Sequence, residues 1–150
     1  MKTEAAAKSD ALSLSKVTLR NMMQTQNILA DSLNEIIKRH HLSPEQFSVL
    51  LILRDQNGKP AHMSAIQERM IAKTSNTTRL VDRLLLKGLA TREVCGKNRR
   101  KIDVSITEKG VALLKNIDPA VDAHAQHFAN NLTYNELKAL NFLLEKYRNI

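Results

Sequence analysis

The stretch TTRLVDRLLLKGLATREVCGKNRRKIDVSI, residues 77–106, decides the fold. Its first part places Leu80, Val81 and Leu84 at helical spacing, and Gly88 closes the pattern as a helix C-terminus. Residues 89–94 and 102–106 then read as strands, the second alternating apolar and polar side chains. Between them the tip GKNRRK carries four positive charges in six residues. Like charges this close repel one another, so the folded chain gains nothing from them locally. They call for something anionic opposite. The stretch reads as a helix followed by a cationic β-hairpin, or wing.

Working outward, Ser64-Ala65-Ile66-Gln67 has the capping-box pattern and predicts a short helix to about Ala72. Thr74 or Ser75 is the expected N-cap of the helix that follows. Two short helices joined by a few residues, the second with surplus positive charge, form the helix-turn-helix pattern. With Thr77 at the origin and 100° per residue, Thr77, Leu80, Val81, Leu84 and Gly88 share the buried face. Ser75, Arg79, Asp82, Arg83 and Leu86 point the other way, flanked by Asn76 and Thr78. That outer face has the chemistry of a major-groove reader. Ser, Thr and Asn bond phosphates or base edges, Arg grips guanine bidentately, and the helix N-terminus favours phosphate.

The charge agrees. Residues 69–101 hold ten Lys/Arg and two acids, Asp82 and Glu93, which is +8 and equals the net charge of the whole 150-residue chain. A solubility charge would be spread along the sequence, whereas a concentrated one is the footprint of a polyanion partner. The expected DNA contacts are Lys73, Thr74, Ser75, Asn76, Thr78, Arg79 and Arg83 from the turn and helix, with Lys97, Asn98, Arg99 and Arg100 from the wing. Arginine at the tip gains from the negative potential of a narrow minor groove. A solvated cationic surface is the bland alternative.

Elsewhere the pattern is helical. Residues 11–39 lack Pro and Gly and predict one long helix, with residues 1–9 a frayed tail. Ser43, Pro44 and Gln46 predict an N-cap, a first-turn proline and a capping box for a central apolar helix that ends at Asn57-Gly58. Thr107 starts another helix, which Pro119 is expected to kink or divide. Thr133 and Glu136 form the capping box of the last, with Leu137, Leu140, Leu143, Leu144 and Tyr147 on its apolar side. The fold class is mainly α with a small β-hairpin wing.

These residues resemble the MarR family of winged helix-turn-helix transcriptional regulators. LSPEQFSVLLIL (residues 42–53) is similar to the family's second helix, and TTRLVDRLLLKGLATRE (residues 77–93) to its recognition helix and first wing strand. NRRKIDVSITEKG (residues 98–110) resembles the wing signature, usually Asp-Arg-Arg, a strand, then Leu-Thr-x-x-Gly. Asn98 departs from the usual acid and Ile106 from the usual Leu. In the family the wing acid helps hold an Arg, so Asp82 is expected to pair with Arg99 or Arg100 instead.

The resemblance implies a homodimer on near-palindromic double-stranded DNA, a repressor released by a small-molecule effector of unknown identity, a metal or an oxidant. It divides the chain into a tail and N-terminal dimerisation helix (residues 1–41), a DNA-binding domain (42–110) and C-terminal dimerisation helices (111–150). The outer helices also have more apolar positions than a small winged domain can cover, and closed two-fold symmetry is the default for such an assembly.

No Gly-rich phosphate loop, G-x-S-x-G or H-E-x-x-H is present, so no enzyme and no cofactor is expected. The lone Cys95 excludes an internal disulfide and lies among cations that favour its thiolate, although redox-sensing relatives carry their Cys in the first helix. Asp122, His124 and His127 share a helix region but fall short of a metal set, unless His40, His41 or His62 joins across the fold. Met22, Met23, Met63 and Met70 read as adaptable packing, or by family analogy as the lining of an effector cleft. Without a signal sequence or an apolar run of about 20 residues, a cytoplasmic protein is expected. The competing readings are a winged-helix module for protein contacts and a DNA-architectural protein without sequence choice.

Overall fold

The computed structural model describes residues 2–70 and 76–149, with side chains from Lys8 onward. Lys73, Thr74 and Ser75 lie outside the described residues. The chain divides into two units, one ending at Glu35 and one beginning at Ile36.

The first unit is helical. α1 (Lys2–Lys38) runs through it and ends in the second. The tail expected at residues 1–9 is helix from Lys2 on. The physical reason lies in the sequence: residues 2–9 contain no Pro or Gly and include three consecutive alanines, the strongest helix formers. Ser15, Thr18 and Thr25 donate their hydroxyls to carbonyls four residues back, which keeps them from competing with the helix backbone. Leu12, Leu14, Val17, Leu19, Met23 and Ile28 of α1 are exposed.

In the second unit α2 (Pro44–Arg54) is central. Ser43 and Gln46 form the expected capping box, and Phe47, Val49, Leu50, Ile52 and Leu53 are buried. Gln46 is buried as well; its Oε1 accepts from Ser43 N–H and from the Lys87 ammonium. β1 (Ala61–His62), absent from the sequence reading, leads into α3 (Met63–Arg69). The Ser64 capping box does not form. The N-cap is His62 without a side-chain bond, and Met70 is already extended, so the helix stops short of Ala72.

Next come α4 (Thr77–Leu86), β2 (Ala90–Val94), β3 (Ile102–Ile106), α5 (Glu108–Ala129) and α6 (Tyr134–Arg148). The sheet order is β1-β3-β2, antiparallel throughout, with His62 opposite Asp103 and Glu93 opposite Asp103. Leu50, Leu53, Ile66, Val81, Leu84, Val104, Leu114 and Ile117 fill the core between α2, α3, α4, α5 and the sheet. Met70 is part of it.

α5 passes Pro119 without a break, so Pro119 does not divide the helix. A proline costs a helix one hydrogen bond and a steric clash. Tertiary ties on its N-terminal side offset that: Ile117 is fully buried, and Asp118 accepts two bonds from Arg54 of α2 at 2.9 and 2.7 Å. α6 has the capping box predicted for it. The Thr133 N–H and hydroxyl both donate to Glu136, which lowers that carboxyl's pKa below its ordinary value. No residue of α6 is buried. Among the described residues no helix is long and apolar enough to cross a membrane.

Candidate nucleic-acid interface

The N-terminus of α4 is built by Asn76, not by Thr74 or Ser75. Asn76 Oδ1 accepts from Arg79 N–H at 3.1 Å, satisfying one of the free first-turn donors. Asn76 is itself exposed. Thr77, Val81 and Leu84 are buried, as the helical phase predicts, while Thr78, Arg79 and Arg83 are exposed and Leu86 is 89% exposed. Gly88, expected on the buried side, is exposed instead. Its place is fixed by backbone geometry: at φ +71° it lets Leu89 N–H reach Leu84 O and its own N–H reach Leu85 O. A shallow open groove beside the helix is lined by Glu45, Asn76, Arg79, Leu80 and Arg83.

The wing closes through two successive turns. Cys95 N–H donates to Lys101 O at 2.9 Å, Asn98 N–H to Cys95 O at 3.2 Å, and Lys101 N–H to Asn98 O at 2.9 Å. Asn98 Oδ1 accepts from Arg100 N–H at 3.0 Å, the local bond by which Asn shapes a turn. Asn98 therefore has a structural duty that the sequence reading did not assign to it. Lys97, Arg99 and Arg100 are exposed around it.

Asp82 pairs with Arg92 at 2.7 Å, not with Arg99 or Arg100. Helical phase shows which face Asp82 occupies; it does not show that β2 runs past that face and brings Arg92 within reach. The pair ties the recognition helix to the first wing strand and leaves the tip arginines free of it.

The nine cations of the basic segment that the structure describes thus fall into two groups. Arg69 bonds Asp55 at 3.2 Å, Lys87 reaches Gln46 and the His41 carbonyl, and Arg92 holds Asp82. Those three serve the fold. Arg79, Arg83, Lys97, Arg99, Arg100 and Lys101 have no ion-pair partner among the described residues, and all six are exposed. Two stand on the outer face of α4 and four at the wing tip. Such a division leaves two cationic edges, which match the charge of a phosphate backbone.

The other sequence candidates do not converge. His124 and His127 lie edge-on to Phe128, with ring centroids 5.2 and 5.1 Å away. Among the described residues the group able to converge on a metal is His62, Cys95 and Asp103, and neither His40 nor His41 belongs to it. Sequence spacing gave no sign of that trio, because only strand register brings residue 62 beside 95 and 103.

Comparison with known proteins places this geometry. Residues 42–102 match the MarR family model. The HTH-type transcriptional regulator MhqR of Bacillus subtilis (strain 168) is 29% identical over 116 residues, covering 77% of this chain and 79% of that protein. A MarR transcription factor from Planctomyces limnophilus superposes with TM-score 0.64 at 29% identity, over 83% of this chain and 90% of the other. A mutant MarR from E. coli complexed with operator DNA superposes with TM-score 0.77 at 25% identity, over 86% and 91%. The helix-turn-helix and three-stranded winged sheet of residues 42–102 thus carry a match to the MarR family, and the chain as a whole resembles winged-helix transcriptional regulators of that kind, one of them solved in complex with operator DNA.

Proposed function

We propose that this protein is a sequence-specific repressor that binds a near-palindromic operator as a homodimer. α4 enters the major groove, with Arg79 reading a base and Asn76, Thr78 and Arg83 bonding base edges or phosphates. Lys73, Thr74 and Ser75, which precede the helix, contact the backbone. The wing follows the adjacent minor groove through Lys97, Arg99 and Arg100, while Asn98 holds the tip in shape. The observation that carries this reading is the set of six exposed cations that, among the described residues of the basic segment, have no ion-pair partner. The E. coli neighbour, solved in complex with operator DNA, supports DNA as the partner.

The dimer is supported by the exposed apolar side chains of α1 and α6, Leu12, Leu19 and Ile28 on one and Leu140, Leu143 and Tyr147 on the other. Two equivalent recognition helices suit half-sites about 34 Å apart. A small-molecule effector would release DNA by favouring a dimer shape with the wrong spacing, which needs only different affinity for two shapes. The cytoplasm, where the operator lies, is the site of action.

Binding of the whole protein to the promoter region beside its own gene tests this. Titrations run against a base-scrambled duplex across a salt series are expected to show a preference of about a thousand-fold. Equal binding to both duplexes would overturn the reading and leave a DNA-architectural protein.

A further inference from the structure

We propose that His62, Cys95 and Asp103 form a binding site for a divalent transition-metal ion of the zinc type, at the foot of the wing. This goes beyond the DNA-binding reading and does not depend on it. Strand register makes the site. His62 of β1 and Glu93 of β2 both stand opposite Asp103 of β3, so all three share one face of the sheet. Cys95 follows Glu93 by two residues and pairs its N–H with Lys101 O, which returns it to that same face. The imidazole nitrogen, thiol sulfur and carboxylate oxygen lie within 4.8 Å of one another.

The donor set decides the class of ion. Calcium and magnesium prefer cages of oxygen, whereas imidazole with thiolate selects zinc and its neighbours. Zinc binds S, N and O at about 2.0–2.3 Å, so tetrahedral donors stand about 3.5 Å apart. Reaching that geometry requires the three side chains to rearrange. A fourth ligand would come from water.

A second observation points the same way. His62 Nδ1 and Asp103 Oδ1 have no surface in contact with solvent and make no hydrogen bond. They stand in direct contact with each other. A cation bound to both would replace that contact.

With His62 neutral, binding would displace the Cys95 proton to solvent and leave thiolate and carboxylate on the ion, so the local charge would rise by one. It would also cross-link β1, β3 and the end of β2 beneath the tip that carries Lys97, Arg99 and Arg100.

The test uses the full chain purified without metal. Cobalt(II) titration is expected to give a thiolate-to-metal charge-transfer band that saturates at one ion per chain and vanishes in Cys95→Ser. In chelator competition, Cys95→Ser, Asp103→Asn and His62→Gln are each expected to hold Zn2+ at least about ten-fold more weakly than the parent, the minimum that even outer partners of a metal site contribute. Thermal unfolding of the metal-free proteins shows that each variant folds. Added Zn2+ raises Tm in the parent and leaves Cys95→Ser unmoved. Absence of the charge-transfer band, or Zn2+ held equally well by the parent and all three variants, overturns the proposal.

Discussion

A methyl group on Gly110 would lie 2.4 Å from Leu89 O and 2.7 Å from Ile106 Cγ1. The first turn of α5 therefore seats directly against the chain that links α4 to the wing. Thr107 closes the same junction: its N–H donates to Leu89 O at 3.1 Å, and its hydroxyl donates to Gly88 O at 2.7 Å. Gly110 is thus required by packing and not by backbone conformation, which is helical there. Gly110→Ala is expected to cost about 1–3 kcal/mol, the usual penalty for overpacking a filled site. Urea unfolding reads it as a lower midpoint at unchanged slope. An unchanged midpoint would mean that the junction yields freely. The sequence marked Thr107 as a cap from its position before a helical run, but a glycine two residues inside a helix gave no hint of the contact it permits.

At the scale of elements, α6 is the case in point. Its capping box starts it, its apolar residues lie at helical spacing, and yet none of them is buried. Leu140 and Leu143 lie on one face and are 42% and 58% exposed, so their replacement by Glu leaves the fold of the single chain untouched. The parent is expected to sediment as a dimer and the double variant, at the same concentration, as a monomer. A dimer of undiminished stability would place the interface elsewhere. The elements themselves were legible wherever a local signal sufficed. Ser43-Pro44-Glu45-Gln46 and Thr133-Tyr134-Asn135-Glu136 each spell a cap whose partners lie within three residues, and both formed as read. The strands of the wing were legible from their alternation and their charged tip. β1 was not, because two residues carry no period and the strand exists only by pairing with Val104 and Asp103. The cap of α4 was misplaced for a related reason. Thr74, Ser75, Asn76 and Thr77 are all capable caps, and the burial of Thr77 against the core selects Asn76. Pro119 was overread, because a local penalty was weighed without the packing and ion pair that hold its helix.

For the whole molecule, the decisive feature is how charge is divided. A segment of +8 announced a polyanion partner in the sequence. What the sequence could not supply was the sorting of those cations, because Asp82 finds Arg92, and Lys87 finds Gln46, only once α2, α4 and β2 are assembled. After that sorting, Arg79 remains on the helix and Lys97 on the wing, two positions with different expected duties. Under the proposed function Arg79 reads a base and Lys97 meets a phosphate. The most direct test is the affinity of Arg79→Ala and Lys97→Ala for the operator and for its single-base variants across a salt series. Arg79→Ala is expected to lose about 1–3 kcal/mol on the operator and to stop discriminating at one base pair. Lys97→Ala is expected to weaken every sequence alike and lower the salt slope by about one. If both variants weakened all sequences uniformly, α4 would not be the element that reads the DNA, and the account would be contradicted at its centre.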